Sequence, residues 1–145
     1  MFERIAPWVL IAASALPAVT IAAPKAQLHL EVARTLEQRE YGLMNRTSVP
    51  EHTGMIFVFA DDAPISFWMK DTLVPLDMVF VGGDGVVRAV FPNVAVLPPS
   101  TPDSAIPLET ARAKYVIELA AGEARKDGLA PGVKLDLSGV PEPLS

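Results

Sequence analysis

The chain has 145 residues and no cysteine, half of its side chains are apolar, and 17 acidic against 12 basic side chains leave a formal charge of −5. That length suits one domain with a core of its own rather than two, and the missing cysteine excludes disulfides, thiolate metal sites and a thiol nucleophile. Basic residues are scattered from Lys25 to Lys134 without forming a stripe, which argues against a nucleic-acid partner.

The start of the chain reads as a secretory leader over residues 1–22. Arg4 gives a weakly basic tip, an uncharged run follows from Ile5 to Ala23, and Pro17 breaks any helix ahead of Thr20 and Ala22, small residues where a signal peptidase reads. Cleavage is expected between Ala22 and Ala23. Pro7 and Pro17 argue against retention as a membrane-spanning anchor. The expected product is an exported domain, periplasmic or extracellular, over residues 23–137 with a flexible tail over 138–145.

Leu28, Leu30 and Val32 alternate with Gln27, His29 and Glu31, the period of a half-buried strand ending at Ala33. Thr35 and Gln38 have capping-box spacing, so a short helix should run from there towards Met44, with Gly42 implying close backbone packing. Met55 to Ala60 and Ile65 to Lys70 read as two further strands. Leu76–Val81 and Val86–Phe91 flank Gly82-Gly83-Asp84-Gly85, a hairpin signal, because such turns use positive φ. Residues 92–109 contain five prolines and read as a long connection, of the kind that serves as a lid or an excursion. Lys114–Ala120 reads as a strand, Glu123–Asp127 as one helical turn stopped by Gly128, and Val133–Leu137 as a last strand. The fold class is therefore α+β, mostly β: a small antiparallel sheet, curled or closed into a barrel, with two short helices.

Serines occur in no nucleophile elbow, and the two histidines lie on a solvent-facing strand position (His29) and in a turn (His52), without metal-ligand spacing, so neither a metal nor a cofactor is expected. Met44, Met55, Met69 and Met78 lie in apolar runs where methionine fills core gaps. The most specific constellation is charge inside apolar strands. The pleat puts Trp68 and Lys70 on one face, while Asp77 and Glu118 stand in mid-strand among apolar neighbours and should find cations among Arg39, Arg46 and Lys70.

Four ordered motifs make the chain familiar: Gly42-Leu43-Met44-Asn45-Arg46; Gly54-Met55-Ile56-Phe57-Val58-Phe59; Phe67-Trp68-Met69-Lys70-Asp71-Thr72 with Pro75-Leu76-Asp77; and Tyr115-Val116-Ile117-Glu118-Leu119 with Gly122. Together they resemble domain of unknown function family 192, from about Leu28 to Leu137. The resemblance implies a compact, mostly β domain, frequently exported, with no agreed activity and no catalytic residue to carry over. The chain departs from that pattern around residues 103–110, where Ile106-Pro107-Leu108-Glu109 stands in place of the common aromatic and serine.

Two functions compete. One is an envelope module that binds a small molecule through Arg46, Trp68, Lys70, Asp77 and Glu118, with the proline-rich loop as lid. The other is a hydrolase or lyase using Asp77 and Glu118 as an acid/base pair, one carboxyl kept neutral by burial and the other ionised. Access separates them: open carboxylates in a cleft favour catalysis, saturated ones a scaffold. Neither the oligomeric state nor the ligand can be read from the sequence.

Overall fold

A computed structural model describes residues 16–144, so most of the leader expected over residues 1–22 lies outside the described residues. Six strands make one sheet: β1 (Ala18–Ala23), β2 (Ala26–Ala33), β3 (Thr53–Phe67), β4 (Leu76–Val81), β5 (Val87–Val94) and β6 (Glu109–Ala120), in the spatial order β1-β2-β3-β6-β4-β5. Among the described residues two short α-helices accompany it, α1 (Leu36–Tyr41) and α2 (Glu123–Lys126), so the mostly β, α+β class holds. The sheet is open rather than barrel-shaped, because β1 and β5 remain at its two ends.

It is also mixed rather than antiparallel. β2 and β3 run parallel, His29 opposite Thr53 through Ala33 opposite Phe57, because the chain between them crosses over through α1 instead of a hairpin. Thr35 and Gln38 close the capping box reciprocally, and α1 ends at Gly42, whose φ of 50° suits glycine. A side chain at Gly42 would press on the Phe57 ring at 3.1 Å, which is the close packing expected there.

The two strands expected at Met55–Ala60 and Ile65–Lys70 are one long, interrupted β3. Its register against β6 shifts between Val58 and Ala63, where five steps along β3 match two along β6, from Tyr115 to Ala113. The acidic pair at the interruption explains the bulge: Asp62 accepts from Arg88 Nη1 at 2.6 Å and from the Gly83 amide at 2.9 Å, contacts that a flat ladder would deny it. β3 ends at Phe67, so Trp68 and Lys70 lie in a turn rather than on one strand face. The Thr72 amide bonds the Met69 carbonyl at 3.1 Å there, and Asp71 takes a φ of 50°.

Each sheet face carries a core. On one, Leu28, Leu30, Val32, Ile56, Val79, Val81, Ile117 and Leu119 pack beneath Ala124, Leu129, Leu135, Leu137 and Val140 of the C-terminal segment. On the other, Met55, Phe57, Met78, Phe80 and Val116 pack with Leu43 and Met69. β4 is buried along its whole length, as a strand covered on both faces must be. Met55, Met69 and Met78 fill core as expected, whereas Met44 is half-exposed.

The last strand expected at Val133–Leu137 reduces to a single bridge between Val86 and Lys134, its amides and carbonyls bonding the β4–β5 turn region instead of a strand partner. Beyond it the tail is tied down by Val140 in the core, by Arg34 Nε donating to the Glu142 carbonyl at 2.7 Å and by the Leu144 amide donating to the Arg34 carbonyl at 2.9 Å. At the other end, the junction expected between Ala22 and Ala23 falls inside β1, which pairs with β2 from Ala18 opposite Glu31 to Ala23 opposite Ala26 and buries Ile21.

Candidate functional site

A cleft of about 510 Å³ opens between α1 and the curled end of β3. Phe57, Phe59, Phe67 and Trp68 contribute its aromatic lining, while Leu36 and Tyr41 of α1 stand at it 59% and 55% exposed. The aromatic rings are organised edge to face: Phe67 meets Phe57 at 4.7 Å, Phe59 at 6.2 Å and Phe80 at 5.9 Å. Such contacts hold ring orientations as well as burying area, which makes the lining preformed.

Glu118 lies at the floor of this cleft. In β6 it faces Met55 of β3 and Met78 of β4, the two flanking positions of the same sheet face, so its carboxyl is surrounded by thioethers and rings. Burial alone pushes that carboxyl from the usual 4.5 up to about 8. At neutral pH it is a carboxylic acid that can both donate and accept a hydrogen bond, and none of the cations expected beside it reaches it.

Those cations are engaged elsewhere. Arg46 makes a two-pronged ion pair with Glu31 of β2, Nη2 meeting Oε1 at 3.0 Å, and takes no part in the cleft. Arg39, in the cleft wall, donates through Nη1 to the carbonyls of Arg34 at 2.8 Å and Val58 at 3.1 Å, its guanidinium 5.2 Å from the centre of the Phe59 ring. Lys70 bonds Asp103 of the proline-rich connection at 2.8 Å and lies 5.4 Å from the centre of the Trp68 ring. The long connection is thereby pinned beside the cleft.

Asp77 sits apart. It faces Leu119 of β6, whereas the next residue, Met78, faces Glu118, so the two carboxyls project from opposite faces of the sheet and cannot serve one acid/base reaction. Both Asp77 oxygens are occupied by main-chain donors, Oδ1 by the Asn93 amide and Oδ2 by the Ala124 amide, each at 2.9 Å. This aspartate pins the first turn of α2 and the end of β5. Of the five residues singled out from the sequence, the fold therefore brings Trp68, Lys70 and Glu118 to one cleft and leaves Arg46 and Asp77 outside it. The α1 wall was missed; the available signal was a helix carrying Leu36 and Tyr41 with no buried position to receive them.

The sequence pattern of the family described as Uncharacterized ACR, domain of unknown function 192 (DUF192), matches residues 18–137. The chain belongs to the DUF192 family. Two solved structures share its fold. One is a Sinorhizobium meliloti 1021 protein provisionally described as a transcription regulator, 30% identical, with a TM-score of 0.74, the match covering 83% of this chain and 94% of that one. The other is a Novosphingobium aromaticivorans DSM 12444 protein of unknown function, also 30% identical, with a TM-score of 0.69 over 83% of this chain and 84% of that one. No curated protein matches this DUF192 chain. The matched span begins with β1, so the first strand belongs to the DUF192 domain here.

Proposed function

We propose that this DUF192 protein is an exported envelope module that binds a small, largely apolar molecule in the cleft between α1 and β3. The observation that carries this reading is Glu118, a buried carboxyl whose only perturbation is burial, at the floor of an aromatic cleft open to solvent. A neutral acid in such a place offers its O–H to a carbonyl or ether oxygen, and the ring-lined walls accept an apolar body. Arg39 and Lys70 already have partners, which favours an uncharged ligand over an anionic one. The catalytic reading loses its expected pair, because Asp77 projects from the opposite face of the sheet to Glu118.

Export is supported by the uncharged run behind Arg4 and by the absence of cysteine. Because β1 starts at Ala18, processing that keeps the domain whole would cut upstream, where Ala13-Ser14-Ala15 supplies the small-x-small pattern. A transcription-regulator role such as the one named for the Sinorhizobium meliloti protein suits this chain poorly: its charge is −5, its basic residues are dispersed, and the α-helices among the described residues, six and four residues long, are too short to lie along a major groove.

The test is a titration with uncharged aromatic ketones, followed by amide and side-chain NMR shifts and by Trp68 emission. Shifts centred on Trp68, Phe59 and Glu118 that weaken in Glu118→Ala support the reading. Saturable shifts elsewhere on the surface, or none at millimolar ketone, refute it.

A further inference from the structure

A second cluster lies away from the cleft. α2 and its C-cap present Glu123 and Asp127 four residues apart, one helical turn, and the turn before β3 brings His52 against them. His52 Nδ1 is 2.9 Å from Glu123 Oε2 and 3.0 Å from Asp127 Oδ1. Despite those distances, His52 Nδ1, Glu123 Oε2 and both oxygens of Asp127 are buried without a hydrogen-bond partner among the described residues. Close as they are, neither carboxylate makes a hydrogen bond with the ring nitrogen. Asp127 is completely buried and Glu123 nearly so, and leaving such groups unsatisfied destabilises a fold unless a ligand meets them.

We propose that His52, Glu123 and Asp127 bind a divalent first-row transition-metal ion, with water completing the coordination where His52 meets solvent. Two ligands at right angles around a metal with bonds of ~2.1 Å stand ~3.0 Å apart, the separation of the imidazole nitrogen from each carboxylate oxygen. Oxygens this close to the ring nitrogen without a hydrogen bond to it are placed for a shared ion. One imidazole and two carboxylates are a donor set for zinc, manganese or iron(II), and a divalent charge offsets two buried carboxylates. Glu51 stays outside this set, its Oε1 3.7 Å from His52 Nε2 and its Oε2 paired with Lys126.

The scaffold is braced before any ion arrives. Asp77 holds the Ala124 amide, the Lys25 amide of the β1–β2 turn donates to the Asp127 carbonyl at 3.0 Å, and the His29 amide of β2 donates to the His52 carbonyl at 2.8 Å. Both segments that supply ligands are thus fixed to the sheet by main-chain bonds, as a preorganised site requires.

Untagged protein, stripped with a chelator, should bind one equivalent of Zn²⁺ in calorimetry and should give the visible absorption of low-symmetry Co²⁺ when cobalt is substituted. His52→Ala, at a half-exposed side chain, should raise the Zn²⁺ Kd at least tenfold while the circular dichroism spectrum stays that of the parent, and Asp127→Asn should raise it likewise. Absence of stoichiometric binding of Zn²⁺, Mn²⁺ and Co²⁺ alike would overturn the site, as would binding that survives unchanged in both His52→Ala and Asp127→Asn.

Discussion

Glu118 makes the stability of this domain fall as pH rises from 4.5 to about 8, a dependence that one substitution should abolish. Its carboxyl titrates near the usual 4.5 in the unfolded chain and at about 8 in the folded one, so between those values the folded state holds a proton that the unfolded state has released. The raised value means that the favourable contribution is complete below 4.5 and is lost progressively as pH rises to about 8, after which the loss is constant. At ~1.36 kcal/mol per pH unit, integration gives a loss of ~4 kcal/mol between pH 5 and pH 9. Glu118→Gln retains the shape and removes the proton equilibrium, so the variant should lack this slope and gain on the parent by ~4 kcal/mol over the same range. Urea melts of both proteins at pH 5, 6, 7, 8 and 9 measure it, and the difference between the two curves isolates Glu118 from other carboxyls, such as Glu123, whose affinity for protons is also raised by burial. Parallel profiles would show that Glu118 is hydrated or paired in solution and would remove the basis for a neutral acid in the cleft.

Asp77→Asn should destabilise by ~2–4 kcal/mol, because an amide accepts with one oxygen and turns its NH₂ towards the other main-chain donor; a melt coincident with wild type would refute the capping role. Phe57→Ala removes a buried ring packed against Phe67 and Gly42 and should cost ~3–5 kcal/mol, whereas His29→Ala, at an exposed position of β2, should shift the denaturation midpoint little. Mass spectrometry of protein recovered from the envelope should find an amino terminus near Leu16, and a chain engineered to begin at Ala23 should be less stable by at least ~2 kcal/mol, the burial of Ile21 alone. An envelope-derived terminus at Ala23 with full stability would refute that junction.

By itself the sequence determined the local structure. The alternation of Leu28, Leu30 and Val32 defines β2, Thr35 with Gln38 starts α1, Gly82 to Gly85 turns β4 into β5, and Gly128 ends the turn of α2, because each signal is a period or a backbone preference contained in a few neighbouring residues. The family motifs were legible for the same reason. Pairing was not: nothing in the residues of β3 states that β2 lies parallel on one side and β6 antiparallel on the other, so an antiparallel barrel was as consistent with the pattern as the open mixed sheet that forms. The same limit governed the sites. Asp77 and Glu118 looked equivalent, two acids in apolar strands, and only the β4–β6 register puts one against main-chain amides and the other into a cleft on the opposite face. His52 looked like an isolated turn residue because its carboxylate neighbours are more than seventy positions away, and that distance closes only when β2, β3 and α2 pack together. A charge acquires its role from the dielectric and the partners around it, and those are set by contacts between segments remote in the chain.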